Sequence, residues 1–223
     1  MNCLRLPGIY ILALFALTLN GCKKDVANGN AGIEYNLQTT NRSSIVQRTN
    51  AGNIQWTSGH GSVTEIKFEA KSNNIKTEFR SDIPYHIDLF SGITSIGNIS
   101  LPAGTYDEVA FKVELDTHGS YAAFELNGKF TSGTTTIPVV FKVNTDFEIE
   151  TETKSIIVTS NKNYLATTSL NLAPITNGVT ESMLSSAARS NGSIVISSTS
   201  NANIYHIILG NLSDSDGVEF KDK

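Results

Sequence analysis

The sequence predicts an all-β fold, an antiparallel β-sandwich with one short inserted helix near residues 180–190. Three features predict it: apolar residues alternating with polar ones at a period of two, Gly, Asn, Ser or Pro breaks about every ten residues, and a single stretch with helical spacing. The clearest strand covers 107–115, where Val109, Phe111, Val113 and Leu115 fall on one face and Glu108, Lys112 and Glu114 on the other. A strand so patterned is buried on one side only. The pattern repeats in 63–70 through Ile66, Phe68 and Ala70, and in 137–143 through Ile137, Val139, Phe141 and Val143. Further strands are expected, in chain order, at 33–37, 75–79, 85–90, 124–130, 147–149, 156–159, 165–172, 194–197 and 204–209. Many short strands at this spacing make a sandwich or barrel.

The helix is expected at 180–189, where Met183, Leu184, Ala187 and Ala188 form a narrow stripe. Thr180 is placed to cap it, Glu181 and Arg189 complement its dipole, and Asn191-Gly192 supplies a left-handed stop. No repeat of fixed period occurs, which argues against a solenoid or propeller.

The chain has 223 residues and a formal charge of −4, from 17 Lys and Arg against 21 Asp and Glu. Hydrophobic residues make up 39%, enough for a core, and charged residues only 17%, too few for a disordered acidic chain. Polarity comes instead from 24 Ser, 23 Thr and 21 Asn. Without clusters of Lys and Arg there is no electrostatic footprint for nucleic acid or for an anionic membrane surface, so no nucleic-acid partner is expected.

The first residues carry Arg5, and an eleven-residue apolar run follows over 9–19. A spanning helix needs roughly 20 residues. A basic start, a short apolar stretch and a small residue before the cut are the marks of a secretory signal peptide. Leu19-Asn20-Gly21-Cys22 resembles the lipobox of bacterial lipoproteins, with Asn20 a departure from the small residue usual at that place. That resemblance implies acylation of Cys22 and a partner in the membrane, reached through the lipid anchor. Cys3 and Cys22 are the only two cysteines, and one would leave with the signal while the other is acylated, so no disulfide is expected. The expected organisation is a signal peptide at 1–21, a lipidated tether at 22–32 and one sandwich domain at 33–223. Lys23-Lys24-Asp25 resembles the charged start of Bacteroidota surface lipoproteins, which implies the outer membrane and leaves its outer face open as the location.

Several stretches together resemble a family of uncharacterised Bacteroidota lipoproteins similar to prealbumin-like β-sandwiches. They are residues 54–59 around Trp56, the strand at 63–70, residues 87–90, the Leu-Pro-Ala-Gly-Thr-Tyr stretch 101–106 with its lead-in from Ile99, the segment 192–197, and Asn203 to Tyr205. The resemblance carries a fold and no biochemical activity. In physical terms Pro102 and Gly104 set a turn entering a strand, with Tyr106 able to close the corner.

The residues offer little catalytic chemistry. His86 and Asp88 share one strand face and could begin a metal site or an acid–base pair, but a third ligand is not visible. His60 and His118 stand beside Gly in loops, where a solvated imidazole is the ordinary case. Asp214 and Asp216, before Gly217, resemble the opening of a calcium loop, and Glu219 could add an oxygen, yet the standard third ligand and distal Glu are missing. A polar turn is the simpler reading. No nucleophile motif or phosphate-binding loop is present. Glu148, Glu150 and Glu152 share a face and read as the solvated side of an edge strand, where charge blocks unwanted pairing. Trp56 is a candidate ligand platform if exposed, and core if not. Asn-x-Ser/Thr triplets at Asn41, Asn98, Asn191 and Asn211 are chance in so Asn- and Ser-rich a chain.

The expectation is therefore a non-catalytic structural, binding or adhesion module on a lipid anchor, with no catalytic, metal or cofactor residues assigned. A glycan- or small-ligand-binding lipoprotein is the alternative, and a hydrolase a more remote one. The protein or glycan partner stays unnamed.

Overall fold

The computed structural model describes residues 29–40, 54–72, 75–213 and 216–223. The expected signal segment, Cys22, most of the expected tether and Asp214 lie outside them. The fold is an all-β sandwich, with β1 (Asn30–Thr40), β2 (Ile54–Ser72), β3 (Ile75–Asp88), β4 (Ile93–Pro102), β5 (Gly104–Leu115), β6 (Phe124–Ser132), β7 (Thr135–Val143), β8 (Phe147–Val158), β9 (Asn163–Asn171), β10 (Arg189–Ser190), β11 (Ser193–Ile196) and β12 (Asp216–Asp222), plus α1 (Glu181–Ser185) and α2 (Ala202–Ser213). One sheet runs β12-β9-β1-β4 and the other β10-β11-β7-β6-β2-β5-β8, with β3 on the opposite edge of β2. Pairing is antiparallel except for β1 with β9 and β11 with β7, which are parallel.

The 19-residue β2 ties the larger sheet together. Its first half pairs with β6 and its second with β5, while β3 follows the other edge from His60 onward. Alternation decides which face is dry: Ile66 and Phe68 on β2, Val109, Phe111, Val113 and Leu115 on β5 and Ile149 on β8 are fully buried. Ile33 and Tyr35 of β1, Tyr164 and Leu170 of β9, and the half-buried Val218 and Phe220 of β12 pack with them in the same core. The two sheets meet ring to ring, Phe111 lying 5.5 Å from Tyr35 and 5.9 Å from Phe220 between centroids. Tyr106 closes the entry to β5 by donating its hydroxyl to the Pro102 carbonyl at 2.8 Å.

The helix α2 packs on the larger sheet, touching β11, β7 and β8. Ile204, Ile208 and Leu212 form its buried stripe, and Tyr205 packs 5.7 Å from Phe141. This corrects the strand expected at 204–209. The run 204–209 is short, apolar and rich in isoleucine, as a strand would be, but burial at 204, 205, 208 and 212 has the helical period. Further corrections concern boundaries: β1 begins at Asn30 within the expected tether, β8 joins two expected strands, and Asp216 opens a strand rather than a polar turn.

The expected helix near 180 is present but short. The Thr180 hydroxyl accepts from the Met183 amide at 3.2 Å, Leu184 is its buried residue, and Ser132 donates to Glu181 Oε1 at 2.9 Å from the end of β6. Thr180→Ala is expected to cost about 1 kcal/mol and leave the sheets intact, read as a lower urea midpoint with unchanged β-sheet circular dichroism.

Candidate functional site

The solvent face of the larger sheet carries most of the ion pairs among the described residues. Lys112 of β5 is its hub, with Nζ 3.2 Å from Glu150, 3.4 Å from Glu148 and 3.6 Å from Glu69. Its side chain is only 15% exposed, so Lys112, expected to stand free in solvent, is wedged between carboxylates. Partial burial alone would lower its pKa, but Glu150, Glu148 and Glu69 outweigh that and hold it above the usual 10.5. A lysine held above its unfolded value contributes stability that is fully present below 10.5 and lost as pH rises through the folded value. Lys112→Ala should cost about 1 kcal/mol at neutral pH, with the loss shrinking in high salt, as salt-dependent unfolding would show. Glu148, Glu150 and Glu152 lie exposed on β8, the terminal strand of this sheet, as expected for an edge guarded by charge.

Beside the hub lies an open trough of about 630 Å³ lined by Glu69, Lys71, Lys76, Glu108, Glu150, Glu152 and Lys154. Its floor is Ala110, which stands between Glu69 and Glu152 in register and has no bulk to fill the space between them. Glu108 reaches the rim because its left-handed backbone, φ 49°, puts Glu108 and Val109 together opposite Ala70 in a bulge. There it pairs with Lys71. Four carboxylates and three ammonium groups leave the trough nearly balanced in charge.

At the other end of the face, β2, β3, β6 and the 116–123 loop meet. His60 stands opposite Asp88 on β3 and Glu125 on β6, and His86 opposite Ser62. The His60 and His86 rings lie 4.9 Å apart between centroids, and the Tyr121 ring lies tilted 4.0 Å from His86. Burial, and then the neighbouring His60, lower the His86 pKa, with Asp88 opposing. Burial would raise the Glu125 carboxyl, but Lys142 at 2.7 Å and the Asn127 amide at 3.0 Å overcome this and hold it below the usual range. Asp88 Oδ1 accepts from the Phe90 amide at 2.7 Å. The partnership of His60 with His86, which are 26 residues apart, was not foreseen. A hint lay in Gly59 and Gly61: a Cβ on either would strike Leu126 or Leu115 in the core, so His60 between them has to face out.

The other expected positions are scattered. Trp56 is 4% exposed, and its ring passes so close to Gly128 that a Cβ there would lie 2.8 Å from it. The expectation of Trp56 as a ligand platform is thereby corrected, because the indole belongs to the core. Tyr121, 48% exposed, is the ring that reaches solvent. His118 is exposed and joins Tyr121 through paired backbone hydrogen bonds. His206 is exposed on α2, away from the His60 group in the fold. Glu219 pairs with Lys221 at 3.1 Å, and the Asp214 part of the calcium-loop expectation lies outside the described residues. Among the described residues no three His, Cys, Asp or Glu side chains already converge on one point, and no helix is long and apolar enough to cross a membrane.

No family model matches the chain, and no curated relative matches it. Among solved structures it is similar to a leucine-rich repeat protein of Bacteroides thetaiotaomicron, with 18% identity and a TM-score of 0.25. The match covers 66% of this chain and 14% of that one, and a likeness so slight carries no argument about fold or function.

Proposed function

We propose that the protein is a lipid-anchored module of a Bacteroidota-type cell envelope, acylated at Cys22, held at the outer membrane, non-catalytic, and binding a protein partner through the outer face of its larger sheet. The observation that supports this is the trough floored by Ala110. It is open and rimmed by Glu and Lys of both signs. Small-ligand sites enclose most of their ligand's surface. An open trough rimmed by charge instead suits another protein's surface, where complementary charges set register and partner choice. The lipobox and the family resemblance supply the anchor and the compartment.

The test is a photo-cross-linker at position 153, on the trough wall, in the full-length chain in its native envelope. Protein adducts that disappear with the double substitution Glu150→Lys and Glu152→Lys are expected. An unchanged adduct pattern in that variant would reject the groove as the binding face. The second reading, glycan binding, is favoured by exposed Tyr121 with polar Asp88 and Glu125 nearby. It predicts retention on envelope polysaccharide that Tyr121→Ala abolishes and the double substitution leaves intact.

A further inference from the structure

We propose that His60 and His86, assisted by Asp88, form a surface binding site for a late first-row divalent cation, with Zn²⁺ the ion the geometry suits best. The pairing of β2 with β3 makes the site. Gly61, Ile87 and Leu89 turn inward and are buried, so His60, His86 and Asp88 all project from the opposite face. The two histidines are diagonal neighbours across the strand pair, a separation that long side chains can bridge.

The ring spacing fits coordination. With metal–nitrogen bonds of about 2.0–2.1 Å, two imidazoles on one ion have centroids about 4.5 Å apart at a right angle and about 5.2 Å apart at the tetrahedral angle. The observed 4.9 Å lies between these values, a ring separation that matches two imidazoles turned toward one ion. Among the described residues no hydrogen bond engages the ring nitrogens of His60 or His86, and the nearest carboxylate oxygen, on Glu125, is 4.0 Å from His60 Nε2, beyond hydrogen-bond reach.

The surroundings hold the ligands in place. Tyr121 packs against His86 at 4.0 Å between centroids and limits its rotation. The Phe90 amide fixes one Asp88 oxygen, which leaves the second oxygen to turn toward the ion. Outer groups that orient the ligands in this way are the usual support of a metal centre. Two nitrogens and one carboxylate oxygen favour zinc, copper or nickel over the oxygen-seeking calcium and magnesium. Because Asp88 must turn, and water or a partner's side chain completes the shell, the site is open and its occupancy follows the free ion concentration.

The experiment is calorimetric titration of ZnCl₂ into the full-length chain in detergent, with Cys3→Ser and Cys22→Ser in every sample to keep thiols out of the coordination. One saturable equivalent is expected. His60→Ala and His86→Ala should each weaken binding at least tenfold and Asp88→Asn by less, while His118→Ala and His206→Ala should leave it unchanged. Imidazole proton signals of two of the four histidines should shift on titration, and melts without metal should show that the variants fold. Absence of saturable binding would overturn the site. So would affinity that survives either His60→Ala or His86→Ala, since the proposal requires both rings.

Discussion

Phe111→Ala is expected to destabilise the protein by about 3 to 5 kcal/mol, near the upper end for a single core substitution. The ring is fully buried and joins three strands besides its own: Phe68 of β2 at 5.3 Å, Tyr35 of β1 at 5.5 Å and Phe220 of β12 at 5.9 Å. Two of these partners belong to the opposite sheet, so the cavity left by Ala would lie between sheets whose separation is fixed by other side chains. Neither sheet can collapse into it without losing register, and little of the cost is recovered. For a domain of this size the loss corresponds to a melting-point drop of about 10 °C. The lone, buried Trp56 provides the fluorescence signal for urea unfolding. A loss below about 1 kcal/mol would mean that the two sheets are not held together through this ring.

Burial of Phe111 was legible because alternation on a half-buried strand follows from the backbone itself, in which successive side chains point to opposite faces. Val109, Val113 and Leu115 follow the same rule, and their burial agrees with it. Departures arise where that rule is suspended or where two rules compete. The bulge at Glu108 depends on a left-handed backbone that no composition signal marks. At α2, three isoleucines and a leucine within 204–209 give the β-branched, apolar composition of a strand, and only the buried positions Ile204, Ile208 and Leu212 show the helical period. The strand β12 is weakly marked in sequence because only Val218 and Phe220 alternate in it, and it owes its place to pairing with β9.

The candidate site was less legible than the fold for a related reason. Its groups come together through pairing between strands, and pairing partners cannot be read from one strand's own pattern. His86 with Asp88 is a local relation and could be seen. His60 with His86 requires knowing that β3 runs back along β2 in one particular register, with Asp88 opposite His60. The trough likewise depends on Ala110 standing between Glu69 and Glu152, a relation across three strands. Trp56 illustrates the reverse error: its neighbourhood to a Ser-Gly turn suggested exposure, but Gly128 on β6 makes room for the indole against the sheet.

Cys22→Ser is expected to abolish fatty-acyl labelling and to move the protein from the membrane fraction to the soluble one, whereas Cys3→Ser should change neither. The expectation rests on Leu19-Asn20-Gly21-Cys22 and on the eleven-residue apolar run before it, which is too short to hold the chain as a spanning helix once acylation is lost. Each buried methylene of an acyl chain contributes about 0.8 kcal/mol, so several chains make a lasting anchor where a single one is marginal. Labelling that persists in Cys22→Ser would end the lipoprotein reading. If it is lost, the anchor also limits where the sandwich can act. From Cys22 to Asn30, the first residue of β1, the chain can reach at most about 29 Å even when fully extended. The sandwich would then be held within roughly its own diameter of the bilayer, and a partner meeting the charged face of β3, β2, β5 and β8 would have to be membrane-bound or close to the membrane surface.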